Sequence, residues 1–293
     1  TLNIESGTLP AGNWANFFIC GGGSIEYDGT GDYTISSIPT TYENLSFLGI
    51  GERNLPAKNI TVCGDMLIDG PDLTSRSNEI IFIRGNVERI SGSIDRLRLL
   101  FQGSGVRNVI GDFTNTNSIN YFRAQQNTDV VINGSVEVNN VLFLFNNAKI
   151  FTDASNSLKV LSSAGIGGGS NSSYVDGPLI IEGVAGRSLF FPIGKNGRYG
   201  PINVNNTLGF SGTQDWTAEY MNSSPTDAGY DNSNILPAAE PVVGVSNSEY
   251  WIVDGPTPGE ANIQLRWDNN SVPDLSDATV SDLRVMEGDA SAF

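Results

Sequence analysis

The stretch "VVINGSVEV", Val130 to Val138, has relatives along the first half of the chain, and this recurrence constrains the fold more than any other feature. Upstream stand "NITVCGDMLID", "IIFIRGNVERI" and "VRNVIGDFTN". Their glycines, Gly64, Gly85, Gly111 and Gly134, recur at nearly even intervals, the longest being that from Gly85 to Gly111. Each unit reads as a short apolar strand, a Gly or small polar corner, and a second strand with alternating apolar residues. Asn108, Asn115, Asn117, Asn133, Asn139, Asn140, Asn146 and Asn147 crowd the strand ends, where Asn tolerates left-handed backbone. No stripe of apolar residues at helical spacing is sustained.

Units of this length with two or three short strands predict a parallel β-solenoid. Its inward residues are expected to include Ile60, Val62, Leu67, Ile81, Ile83, Val87, Val109, Ile110, Val131, Val136 and Val138. A sandwich of hairpins also gives evenly spaced strands, and "NGS" at Asn133 and "DGT" at Asp28 suit its turns. "FFICGGGSIEY" has the repeat's shape, with Cys20-Gly21 matching Cys63-Gly64 at a spacing close to two units. Two coils are roughly 10 Å of rise, too far for a disulfide. The repeat therefore predicts two free, buried thiols.

The texture changes near residue 165. "SSAGIGGGSNSSYVDGP" is Gly/Ser-rich and reads as a junction. The expected organisation is an all-β chain with solenoid repeats over 1–165, a junction over 166–178, and an antiparallel β-sandwich-like domain over 179–293. The last is expected to be truncated at its C-terminus, since "MEGDASAF" looks mid-domain, and a chain that starts without Met is expected to be a mature or internal fragment. Trp216, Trp251 and Trp267 fall in three separate strand candidates, as shared core or, more sharply, as a sugar-stacking row.

Composition narrows the chemistry. The formal charge is −16, with Asp+Glu 32 against Lys+Arg 16, which argues against nucleic acid and fits an extracellular surface. No apolar run approaches the ~20 residues of a membrane helix, and "TLNIESGTLP" is no signal peptide. Membrane insertion is not expected. His is absent, which removes the Ser-His-Asp triad, the Cys-His dyad and the usual zinc sites. Calcium is the one candidate cofactor, with acidic turns at Asp28 and Asp32 and at Asp268, Asp274 and Asp277; solvated turn carboxylates are the leading reading of both. Arg84 and Arg107, and likewise Arg98 and Arg123, are spaced by about one repeat. They are candidates for a cationic glycan-binding strip running from one coil to the next. Ordinary surface pairing with Glu88, Asp95 and Asp112 is the leading reading of the same arginines.

One further pattern concerns "TYENLSFLGIGERNLPAKNITVCGDMLI". Its Tyr42, Asn44, Leu45, Gly49, Gly51, Leu55, Ile60, Val62, Gly64 and Ile68 resemble a repeat of large secreted surface proteins of Bacteroidota, with Met66 and Leu67 shifting one Leu position. "GGGSIEYDGTGDYTIS", "SYVDGPL", "FFPIGKNGRYGPINV", "EYWIVDG" and "IQLRWD" resemble flanking elements of the same style. The resemblance implies export by the type IX secretion machinery, an extracellular, cell-surface location, and a role in attachment or gliding. Three functions follow as expectations: a non-enzymatic structural or adhesive segment, a carboxylate-based carbohydrate-active β-helix enzyme, and a module binding polysaccharide or cell-surface glycans. The first is the leading one.

Overall fold

The computed structural model describes residues 1–228, 246 and 248–266. It is nearly all β, a parallel solenoid of about nine turns followed by an antiparallel, sandwich-like region. Among the described residues no helix is long and apolar enough to cross a membrane.

The coils have three faces. The first runs through Leu2–Ile4, Ile25–Tyr27, Leu45–Leu48, Met66–Asp69, Val87–Arg89 and Gly105–Phe113 into Thr128–Leu144. Register places Ile25, Leu45, Met66, Val87, Val109 and Ile132 one above another, with a step that lengthens slightly along the chain. The second face stacks Thr41–Tyr42, Ile60–Val62, Ile81–Ile83, Arg98–Phe101, Ile119–Ala124, the end of Thr128–Leu144 and Gly165–Gly168. The third stacks Tyr33–Thr34, Glu52–Asn54, Asp72–Thr74 and Ile94–Asp95. Parallel pairing between coils, not hairpin pairing, carries the whole first half.

Alternation in each short strand sends every second side chain inward, where like sits on like. Leu99, Phe122 and Leu142 form one fully buried column of the second face, and Phe101, Ala124 and Leu144 form its neighbour. Between these columns the Phe101 and Phe122 rings meet with centroids 5.2 Å apart, and the small Ala124 leaves Phe101 its room. Polar side chains repeat the same logic at a corner. Asp65 Oδ1 accepts the backbone and side-chain N–H of Asn86 at 2.8 and 2.9 Å, and Asn86 Oδ1 accepts those of Asn108 at 2.8 and 2.9 Å. Asn108 Oδ1 accepts Asn133 Nδ2 at 2.9 Å. Asp65 and Asn86 thus satisfy backbone groups of the next coil, and Asn108 continues the ladder through side chains alone. Arg53, fully buried on the third face, is held similarly: its guanidinium lies 4.3 Å from the Tyr33 ring and donates to the carbonyls of Gly29, Gly31 and Leu48.

Several sequence expectations are corrected here. Leu67, Ile110 and Val131 face outward, and their neighbours Met66, Ile68, Val109, Val130 and Ile132 fill the core. A one-residue error in a strand moves a side chain to the opposite face. The four aligned glycines are two different positions. Gly64 and Gly85 precede their strands and stack on each other, whereas Gly111 and Gly134 are in mutual register and Gly111 lies over Arg89. The long interval from Gly85 to Gly111 mixes the two, and the true step runs from Arg89 to Gly111. Gly111 and Gly134 have φ of +108° and +142°, and a Cβ on Gly134 would overlap the Gly111 carbonyl. Gly134→Ala is therefore expected to lose about 1–3 kcal/mol of stability from backbone strain, read as a lower denaturation midpoint; an unchanged midpoint would show that the corner relaxes freely.

Cys20 and Cys63 form a disulfide, with Cα atoms 5.4 Å apart, and not two free thiols. The coil rise holds for residues inside the ladder, but Cys20 is outside it. The segment between Ile4 and Ile25 holds no strand; it lays Phe18 against Tyr42, with ring centroids 6.0 Å apart, and Gly21 N–H donates to Glu43 Oε2 at 2.6 Å. A segment free of the strand rise can reach past one coil to the next.

The expected junction at 166–178 belongs to the ladder. Gly165–Gly168 pairs with 141–144, and Val175–Asp176 pairs with Ile150 and Phe151. The glycines are there for close approach: a Cβ on Gly167 would overlap the Phe143 ring. On one face the parallel order ends at Leu179–Val184, paired in parallel with Ser157–Val160 on one edge and antiparallel with Thr213–Met221 on the other, while on another Ile193–Lys195 still pairs in parallel with Val175–Asp176. Thr213–Met221 then pairs with Tyr250–Asp254, and a second antiparallel sheet holds Leu189–Phe191, Ile202–Leu208 and Glu260–Leu265. Trp216 is buried beside Phe210, and Trp251 packs on Tyr220 while its indole N–H donates to the Gly200 carbonyl at 2.9 Å. Trp267 lies outside the described residues.

Candidate functional site

The second face of the solenoid carries the most distinctive surface. Its outward positions follow from the inward ones by parity. Phe82, Leu100, Arg123, Phe143 and Gly167 stand in one register column, and Arg98, Tyr121, Val141 and Gly165 in the column beside it, with Leu100 and Tyr121 themselves buried. Arg84, Gln102, Gln125 and Phe145 each follow the last inward residue of their strands. Every charged residue among these outward positions is an arginine.

The rings hold the guanidinium groups. Arg98 Cζ lies 4.9 Å from the centre of the Tyr121 ring, and Arg123 Cζ lies 5.3 Å from that of Phe145. The Phe143 ring links these pairs, 5.8 Å from Tyr121 and 5.4 Å from Phe145. Such cation–π contacts orient a planar guanidinium without neutralising it. Arg98 Nη1 donates to the Asn78 carbonyl at 3.1 Å. Among the described residues, neither arginine has a carboxylate within 4.0 Å, and the Nε atoms of both are buried without a hydrogen-bond acceptor. Arg98 and Arg123 are one coil and two positions apart, about 8 Å between Cα atoms from strand spacing and rise.

The other arginine candidates are placed differently. Arg107 stands on the first face, in register with Val130, and donates to the carbonyls of Val106 and Ser104 at 2.8 and 2.9 Å. Arg84 is exposed at the trailing end of the second face, with Nη1 3.6 Å from Cys20 Sγ. Arg84 and Arg107 therefore do not continue one strip. Of the expected carboxylate partners, Asp95 pairs with Arg96, and Asp112 receives Arg89 only through its backbone carbonyl.

Asp28 and Asp32 serve as coil-to-coil acceptors. Asp28 Oδ2 accepts Asn3 Nδ2 at 3.3 Å, and Asp32 Oδ1 accepts the Glu52 N–H at 2.7 Å. Asp268, Asp274 and Asp277 lie outside the described residues. Among the described residues no group of three or more His, Cys, Asp and Glu is placed to hold a metal ion.

Ionisable groups do gather where the solenoid meets the antiparallel strands. Lys159 Nζ is 2.9 Å from Asp215 and 4.0 Å from Glu182. Burial pulls the Lys159 pKa down, but the hydrogen bond and charge of Asp215 outweigh it and hold the ammonium above its ordinary value. Burial likewise pushes Glu182 up, and hydrogen bonds from Ser162, with Lys159, bring it below the usual carboxylate range. Both groups are thus held charged, as a latch between layers: Lys159 lies on a parallel strand and Asp215 on the first antiparallel one. Lys195–Glu219 at 2.7 Å and Arg198–Glu249 at 3.1 Å fasten the same end.

The sequence reading named Arg98 and Arg123 as candidates but not the rings of Tyr121, Phe143 and Phe145 beside them. The signal was present: Phe143 ends a strand's outward positions and Phe145 follows at the same parity just past Leu144, and Arg123 precedes them by about one coil. No family model, curated protein or solved structure matches this chain.

Proposed function

We propose that this chain is a structural, adhesive segment of a large secreted cell-surface protein, exported by the type IX machinery and serving in attachment. The observation that carries this reading is the continuous parallel ladder. About nine stacked coils make a spacer roughly 40 Å long. Stability in such a stack comes from neighbour-to-neighbour contacts, so length is gained without a larger core, and each coil offers the same flat face. The disulfide supports an oxidising, extracellular setting. The resemblance of the stretch from Tyr42 to Ile68 to secreted Bacteroidota repeats supports the export route.

The reading is tested with beads coated with this segment in a flow chamber. They are expected to be retained on polysaccharide-coated glass over beads coated with albumin, and no reducing sugar is expected to be released from the coating. Retention no better than albumin, or steady sugar release, would replace the adhesive reading with an enzymatic or purely internal one.

A further inference from the structure

We infer that the second solenoid face binds an anionic polysaccharide, with Arg98 and Arg123 on the rings of Tyr121, Phe143 and Phe145 as the binding shelf. This deepens the adhesive reading and rests on it for the setting in which such a polymer is met.

The charge pattern comes first. The protein carries −16 overall, and acidic side chains point outward from the first face at Glu26, Glu88 and Glu137. On the second face, the outward columns from Phe82 to Gly167 and from Arg98 to Gly165 hold arginines and no carboxylate. At physiological ionic strength charges separated by more than about 8 Å are largely screened, so the local cationic surface decides what docks there.

The state of those arginines comes second. An ordinary surface arginine spends its donors on a nearby carboxylate or carbonyl, as Arg107 does through both Nη groups and Arg98 through Nη1 alone. Arg123 makes its contact with the Phe145 ring instead; a buried Nε without an acceptor is common to Arg98, Arg107 and Arg123. Ring stacking fixes the plane of the guanidinium and leaves its Nη edge for an incoming oxyanion, so less side-chain freedom is lost on binding. A carboxylate or sulfate accepts two parallel N–H donors from such an edge.

Shape selects the polymer. The shelf is a sheet face, flat across the strands, and the Phe143 ring is half-buried between the two stacked pairs. A sugar ring offers an apolar C–H face to an aromatic ring while its carboxylate or sulfate reaches an adjacent arginine. Successive charges on one chain can then meet Arg98 and Arg123 in turn. An acidic peptide has the charge but no ring face to match Phe143. Carboxylated and sulfated glycans share this chemistry.

The test is calorimetric titration of the whole chain with polygalacturonate, dextran sulfate, neutral dextran and poly-glutamate. Binding to polygalacturonate or dextran sulfate, and to neither of the others, is expected, and which of the two binds identifies the anion. Arg98→Ala and Arg123→Ala are each expected to weaken binding by about tenfold, equivalent to about 1.4 kcal/mol, with the melting temperature retained. Arg123→Lys keeps the charge, loses the planar fork, and is expected to fall between. Arg107→Ala, on the other face, should leave affinity unchanged. Equal binding of poly-glutamate would overturn the glycan assignment. Binding that survives both shelf variants, or falls equally with Arg107→Ala, would overturn the site. Absence of binding while coated beads are still retained on a surface would overturn the shelf and leave the adhesive reading standing, whereas loss of both would remove the adhesive reading itself.

Discussion

Replacing Phe122 by alanine is expected to remove about 3–5 kcal/mol of stability, the range for deleting a buried aromatic side chain. Phe122 is fully buried at the centre of the second face, between Leu99 and Leu142 in its own column and against the Phe101 ring. The loss should sit at the upper end of the range for a structural reason. A cavity is relieved when surrounding elements move in, and here they are held apart by the hydrogen-bonded spacing of successive strands, ~4.8 Å. The backbone ladder that builds the coil also keeps the hole open. Chemical denaturation gives the free energy, and hydrogen exchange resolves where it falls, since a linear stack can lose cooperativity and open one section at a time. Protection should drop first in the strands from Arg98 to Leu144. Phe143→Ala serves as the control: the ring is on the outer side of the same sheet and only half-buried, so about 1 kcal/mol or less is expected. Equal losses from the two variants would mean that the inner and outer sides of this face have been exchanged.

Removing the disulfide by Cys20→Ser with Cys63→Ser is expected to lower stability by about 4 kcal/mol, the chain-entropy value for a loop of this length. The bridge spans 43 residues of sequence. It fixes the segment between Ile4 and Ile25, which has no strand of its own, to the second face. The effect should therefore be local. Without the bridge, the ring cluster of Trp14, Phe17 and Phe18 is held through Phe18 on Tyr42 and through the Gly21–Glu43 hydrogen bond. Limited proteolysis is expected to cut the reduced or Ser-substituted protein within residues 5–24, while the strands beyond Arg98 keep their exchange protection. Full protection of 5–24 in the variant would show that the aromatic contacts suffice and that the bridge is redundant. Arg84, 3.6 Å from Cys20 Sγ, would become more mobile in the variant without altering the shelf.

The latch of Lys159, Asp215 and Glu182 shows how far local sequence reading reaches. "SLKVL" is legible as a strand with Lys159 outward. Nothing near it in sequence indicates Asp215, which arrives 56 residues later on an antiparallel strand. The disulfide has the same character. The repeat correctly placed Cys63 in a coil, and the error was to treat Cys20 as another member of the ladder. The Gly/Ser-rich run at 166–178 misled for a related reason. Gly is read as a breaker, yet Gly167 is required by the Phe143 ring that comes from the coil before.

By itself the sequence determined the period and the alternation. Short apolar strands with small corners, recurring every twenty-odd residues, leave the backbone few ways to satisfy its hydrogen bonds other than by stacking coil on coil. Composition likewise determined what chemistry a chain without His lacks. The tertiary structure alone decided which residues meet. Coil length is not constant on the first face: the coil from Ile25 to Leu45 is shorter than that from Val109 to Ile132, and each extra residue shifts the register of everything after it. In a strand with a two-residue period, one such shift turns an inward side chain outward. The partners of Arg98 and Arg123, and the reach of Cys20, therefore depend on accumulated register and on a segment outside the ladder, which no single repeat contains.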